Sequence, residues 1–261
     1  SIHASTVVDC ITAFSKKQTN CPPIPPKGGK ATPVVPVDPN EITGYIAESG
    51  SLDIGAEVIQ LPYMIEFEND TVFATAHAHT VVVRDTLNGN VFDLNSFSAT
   101  AFSIGDEITT INGGRNFTRT VDMRPTIDAL AQVQLEYRVD TSYAVAKWTF
   151  TSLDHMTLLP AADSLGFLGI GKTGEVDFTI NRKADLPDST VIDNRAWIVF
   201  DNEEPISTST WRNIIDNTPP VSSIDSIAYT GSTATVTISA TDNLSGVWRY
   251  NVYALMDGDN R

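Results

Sequence analysis

From about residue 41 to residue 200 the apolar residues of this chain recur at every second position, and that period decides the fold class. Leu61, Tyr63, Ile65 and Phe67 alternate with Pro62, Met64, Glu66 and Glu68. Val133, Leu135, Tyr137 and Val139 do the same, as do Ala144, Ala146, Trp148 and Phe150, then Val176, Phe178 and Ile180, and Ala196, Ile198 and Phe200. Successive side chains on a strand point to opposite faces, so each segment reads as a strand with one face buried and one wet. Turn signals separate the runs: Asn88-Gly89-Asn90, Asn112-Gly113-Gly114 and Gly171-Lys172-Thr173-Gly174. No long helical period intervenes, which argues against a parallel α/β sheet. Many short strands predict an all-β fold, an antiparallel β-sandwich of Ig-like style.

The chain divides by composition. Residues 1–37 read as a leader: Val7, Val8, Ile11 and Phe14 have helical spacing. Pro22-Pro23, Pro25-Pro26, Pro33 and Pro36 then exclude helix and central strand. That stretch reads as a semi-rigid linker after the tail of an earlier domain. Residues 38–218 read as the sandwich. Asn213-Ile214-Ile215-Asp216-Asn217-Thr218-Pro219-Pro220 reads as the next linker. In residues 219–261, Val236, Ile238 and Ala240 alternate again, and Trp248, Tyr250, Val252 and Tyr253 resume the pattern. Only about three strands fit, so this reads as part of a second β-domain.

Charge limits the partners. Asp and Glu number 32 against 17 Lys and Arg, a net charge of -15. That argues against nucleic acid and against an anionic membrane surface, which both need a basic face. With 41% hydrophobic residues the chain can fill a core. No apolar run reaches the roughly 20 residues of a membrane span. Ser1-Ile2-His3 shows no basic region or apolar stretch of a signal peptide. Cys10 and Cys21 form an even count in an acidic, lysine-poor chain, which fits a disulfide in an oxidising, extracellular setting. The alternative is two unpaired thiols in the leader.

Several segments together resemble a known family. They are Asp38-Pro39-Asn40-Glu41-Ile42, Leu61 to Asp70, Ala74-Thr75-Ala76, Val121-Asp122-Met123-Arg124-Pro125, Trp148 to Asp154 and Ala196 to Ile206. Their order resembles the β-sandwich repeat, of uncharacterised function, in large secreted and surface proteins of bacteria with a type IX secretion system. The chain departs from that family's pattern at His77 and His79. Ala240-Thr241-Asp242-Asn243-Leu244-Ser245-Gly246-Val247 is similar to the start of bacterial Ig-like or fibronectin-like repeats. The resemblance implies a string of extracellular β-modules and no catalysis. The expected function is therefore a non-catalytic spacer in an adhesin-like stalk at the cell surface, with neighbouring β-domains as partners. The alternative is a carbohydrate- or surface-binding module of an adhesin or secreted hydrolase.

The strongest candidate site is one for Ca2+. Asp201, Asn202, Glu203 and Glu204 follow one another at a strand end before Pro205, and Asp216 lies at the following linker. Calcium takes six to eight oxygen ligands, which clustered carboxylates can supply. The plain reading is a solvated acidic face. Asp38, Asn40 and Glu41 form a second acidic junction, and Asp257-Gly258-Asp259 is a fragment of a calcium loop. His77 and His79 share a face if their segment is a strand, with Asp70 or His155 as third ligand, but two surface histidines are the more ordinary reading. Ser152, Asp154 and His155 stand too close in sequence to make a triad. Glu66 and Glu68 share an outward face, where little desolvation is expected to raise an acid's pKa. Trp197 is out of phase with Ala196, Ile198 and Phe200 and is expected to face outward, where a ring can stack on a sugar. Trp211 sits near the junction, and Trp148 is in phase with its core.

Overall fold

The computed structural model describes residues 40–124, 127–140, 142–162 and 165–252. Cys10 and Cys21, the proline-rich leader, Asp38, Tyr253 and Asp257-Gly258-Asp259 lie outside the described residues. Two compact units are present. One spans residues 36–217; the other includes residues 218–252.

The first unit is all strand and turn among the described residues. In chain order its strands are β1 (Asn40–Thr43), β2 (Asp53–Gly55), β3 (Gln60–Glu68), β4 (Thr80–Asn88), β5 (Phe92–Ile104), β6 (Glu107–Thr110) and β7 (Asn116–Asp122). There follow β8 (Ala129–Val139), β9 (Tyr143–Asp154), β10 (Thr173–Arg182), β11 (Val191–Asn194), β12 (Ala196–Phe200), β13 (Ile206–Ser207) and β14 (Trp211–Asp216). They make a five-stranded sheet, β1-β3-β10-β5-β6, and a six-stranded sheet, β13-β12-β4-β9-β8-β7. A third sheet, β11-β14-β2, contains the parallel pair β14/β2.

The inner faces of the two large sheets form one core. Leu61, Tyr63, Ile65 and Phe67 of β3 are all buried, as are Val176, Phe178 and Ile180 of β10. From the other sheet come Ala144, Ala146, Trp148 and Phe150 of β9 with Val133 and Leu135 of β8. Aromatic rings join the layers: Phe67 meets Phe150 edge-on at 5.2 Å, and Trp148 lies 5.7 Å from Phe178. Each fully buried large side chain contributes about 1.5–3 kcal/mol of hydrophobic stabilisation. Gly174 is required where β10 pairs with β3, because a Cβ there would stand 2.3 Å from the ring of its cross-strand partner Phe67.

Two local features depart from simple alternation. In β5 the buried positions change phase, from Phe97 and Ala99 to Phe102 and Ile104, because a bulge interrupts the pairing with β10. In β4 the inward position after Val83 is Asp85, fully buried between hydrophobic neighbours.

Two sequence readings need correction. Asn213 to Asp216 is not linker but most of β14, hydrogen-bonded between β11 and β2. Its polar residues mislead because they are buried and bonded: the Asn213 amide donates to the carbonyls of Tyr45 (2.9 Å) and Leu52 (2.7 Å). Trp248, Tyr250 and Val252 form no strand. The second unit has one hairpin among its described residues, β15 (Val221–Thr230) with β16 (Thr233–Thr241).

Candidate functional site

An open groove with a volume of ≈ 940 Å³ lies on the outward face of the six-stranded sheet. Its floor follows from strand register. Because side chains alternate, positions paired across successive strands fall on one face. One such row runs Ser207, Trp197, Arg84, Lys147, Glu136 and Asn116 across β13, β12, β4, β9, β8 and β7. The adjoining row brings Val199, Val82 and Thr149 together. On the other side Val145 pairs with Thr86 and with Arg138.

Trp197 faces outward as its phase predicts, and the residue is 40% exposed. The Arg195 guanidinium lies 5.2 Å from the ring centroid, a cation–π contact that fixes the indole against the sheet. Tyr143 exposes a second ring at the groove's edge. Arg84 and Lys147 stand directly opposite each other, and neither has an ion pair among the described residues. Like charges directly opposed on a sheet are destabilising. The acids lining the groove are engaged locally: Glu136 binds Arg138 at 2.5 Å, and Asp140 accepts the backbone N–H groups of Ser142 and Tyr143. The arrangement offers two adjacent cations outside any ion pair among the described residues, with Glu136 across from Lys147 on its other side, and two rings and a strip of valines beside them, to something anionic and partly apolar.

The outward face of the five-stranded sheet has the opposite character. Glu41, Glu66 and Glu175 stand in one row across β1, β3 and β10. Glu66 is raised above the ordinary carboxylate range by desolvation, and further by Glu175, Glu41 and Glu68. Glu175 is raised by desolvation and by Asp177, with which it shares a hydrogen bond. The expectation of little desolvation on this face is thus wrong. Glu66, Glu175 and Asp177 are partly buried on this face.

The core holds a further polar group. The Asp85 carboxylate accepts a hydrogen bond from the Asn194 amide (2.9 Å), and burial raises its pKa to about 7 despite that bond and one from the Thr86 backbone. Its Oδ1, the Tyr63 hydroxyl and Trp148 Nε1 are buried without a hydrogen-bond partner among the described residues. Asp85 also raises the pKa of Tyr63, after burial itself. Its residue type reads as an outward acid, because Val82 breaks the apolar alternation of β4. Only its position two residues after the buried Val83 could have revealed it.

The sequence-derived candidates are dispersed. Asp201 adopts φ 48° at the end of β12, and its Oδ1 accepts the backbone N–H groups of His79 (3.0 Å) and Thr80 (2.7 Å). Asn202, Glu203 and Glu204 are exposed in the turn that follows, whereas Asp216 is buried on β14 of another sheet, not in a linker. Among the described residues no three of these carboxylates come together as a metal-binding group. His77 and His79 flank an isolated bridge at Ala78, not a strand. Asp70 caps the Phe73 backbone, and His155 sits 3.3 Å from Asp128. Ser152 Oγ donates to the Leu165 carbonyl and Asp154 caps the turn at Met156 and Thr157, so Ser152, Asp154 and His155 form no triad. Trp211 is half-buried, its Nε1 donating to Asn213 (3.0 Å). No helix among the described residues is long and apolar enough to cross a membrane.

No protein-family model matches the chain, and no curated protein does. Several solved structures resemble it at low identity. The collagen-binding domain of a Staphylococcus aureus adhesin is 9% identical, with 70% of this chain and all of that one covered and a TM-score of 0.34. Domains D2 and D3 of the major pilin SpaD from Corynebacterium diphtheriae are 14% identical over 66% of this chain and 51% of that one, at 0.36. The C-terminal domain of the Streptococcus agalactiae AgI/II polypeptide BspA is 11% identical over 71% and 52%, at 0.39. The chain thus spans about half the length of the last two, and its own architecture is an antiparallel β-sandwich with a separate hairpin unit.

Proposed function

We propose that the chain is a non-catalytic module of a larger extracellular or cell-surface protein, an adhesin-like stalk unit whose six-stranded sheet carries a recognition face. The observation that supports this is the outward row through Trp197, Arg84 and Lys147. An exposed ring beside two adjacent cations that make no ion pair among the described residues, on an open sheet face, suits adhesion to a surface. The acidic groups with raised pKa are divided between the core and the opposite sheet face, an arrangement that suits structure better than acid–base catalysis. The resemblance to repeats of type IX-secreting bacteria belongs to the same reading, as does the division into a leader, a sandwich over 38–218 and a partial β-domain over 219–261.

A carbohydrate-binding role is the second reading, favoured by the exposed rings of Trp197 and Tyr143. A glycan and matrix-protein array tests both. Binding lost in Trp197→Ala and in Arg84→Ala supports the recognition face, and binding unaffected by either variant, or no binding above an unrelated sandwich, counts against it. Calcium at Asp201, Asn202, Glu203, Glu204 and Asp216 is a separate proposal. It is supported by the run of oxygen-bearing side chains at 201–204 and opposed by the two amides Asp201 already caps and by the burial of Asp216.

A further inference from the structure

We propose that the groove of the six-stranded sheet takes the acidic outward face of the five-stranded sheet of a second copy of this chain. The inference rests on the reading of that groove as a recognition face and names its partner.

The argument starts from two unfavourable arrangements in one unit. Arg84 and Lys147 oppose each other with no anion between them, in a chain where acids outnumber bases by 32 to 17. On the other sheet Glu41, Glu66 and Glu175 oppose one another with no cation among them. β1, β3, β5 and β6 contain no Lys or Arg, and the basic residue of β10, Arg182, is buried. The Arg84/Lys147 pair and the glutamate row each lose stability through like-charge contact, and the Glu136 across from Lys147 is engaged by Arg138. Stacking one face on the other relieves both at once.

Shape and apolar content agree with charge. Both surfaces are rows of strand side chains, and sheets stack face to face about 10 Å apart. The acidic row continues through Ser103 to Ile108, which is 75% exposed, and Met64 lies in the next row. The groove offers Trp197, Val82 and Val199 in return. The strands of this sheet, four to thirteen residues long, at about 4.8 Å spacing and about 3.3 Å rise cover roughly 630 Å², somewhat below the ~800 Å² per partner of a standard interface. Because the two faces differ, the contact is heterologous: each copy leaves one groove and one acidic face free, so assembly continues head to tail.

Sedimentation velocity of the full chain at about 100 μM tests this. Raising NaCl from about 0.1 M to about 1 M shortens the Debye length from ~10 Å to ~3 Å. The expected result is concentration-dependent association at the lower salt, weakened at least about tenfold at the higher. R84E/K147E and E66K/E175K should each fail to self-associate, and their equimolar mixture should form heterodimers, since one retains the native acidic face and the other the native groove. E66Q/E175Q, which removes charge without reversing it, should weaken association while melting no lower than the parent, so a loss through misfolding is recognised. A parent chain that stays monomeric at low salt overturns the proposal, as does association that survives in R84E/K147E. A monomeric chain that binds an array ligand through Trp197 overturns it while leaving the recognition face intact.

Discussion

β3 and β16 carry the same alternating pattern and meet opposite fates. In β3, Leu61, Tyr63, Ile65 and Phe67 are at most 2% exposed beneath the six-stranded sheet. In β16, Val236, Ile238 and Ala240 also share one side of the hairpin, yet none is buried. The difference teaches that period two tells which face of a strand is apolar and nothing about whether a second layer covers it. Stability follows the cover, because only area removed from water contributes.

The largest expected effect therefore falls in the sandwich. Trp148→Ala removes a fully buried ring in contact with Phe97 and Phe178 and should cost about 4 kcal/mol, seen as a lower midpoint in urea. A loss below about 1 kcal/mol would break the comparison. Next comes Asp85, a carboxylate buried in that covered layer. Its native pKa of about 7 stands above its ordinary 3.8, so the native state holds a proton that the unfolded chain releases between those values. Stability from this group is full below about pH 4 and is lost as pH rises through 7. The loss is on the order of 4 kcal/mol. Asp85→Asn should stabilise the unit by about 2 kcal/mol at pH 8 and leave it nearly unchanged at pH 4. Equal effects at both pH values would mean the carboxyl is not the source.

Smaller effects belong to the uncovered regions. Ile238→Ala should cost no more than about 0.5 kcal/mol, as surface changes do, and leave the main melting transition in place. A larger cost would show that a layer covers β16 after all. Calcium should matter least. With Asp201 occupied by two amides, melting in calcium and in excess chelator should agree within about 1 °C, and a shift of several degrees lost in Glu203→Gln/Glu204→Gln would establish the junction site.

The sequence makes β3, β8, β9, β10 and β12 readable because each buries one face and wets the other. It conceals β14, whose Asn213 and Asp216 look like linker residues but are buried; the Asn213 amide is bonded to carbonyls far away in the chain. It conceals the phase change in β5, since a bulge is a property of the pairing and not of the segment alone. Trp197 could be placed outward from its own strand. Arg84 and Lys147 could not be joined to it, because cross-strand register is set by contacts between distant parts of the chain. The glutamate row of the opposite sheet and the Arg84/Lys147 pair are invisible in the sequence for the same reason.

The parallel pairing of β2 with β14 joins the first part of the sandwich to its last strand. Arg182 reinforces the join by donating to the carbonyls of Val58 (2.8 Å) and Ala56 (3.1 Å) and to the Asn217 side chain (3.2 Å). Tension drawn from residue 40 toward residue 217 would pull these parallel strands in opposite directions along their axes. Their hydrogen bonds would then be loaded together in shear, not opened one after another as at the end of a hairpin. The unit is predicted to resist stretching more strongly than the β15/β16 hairpin. Arg182→Ala should lower its rupture force in single-molecule pulling, and an unchanged force would place the mechanical clamp elsewhere.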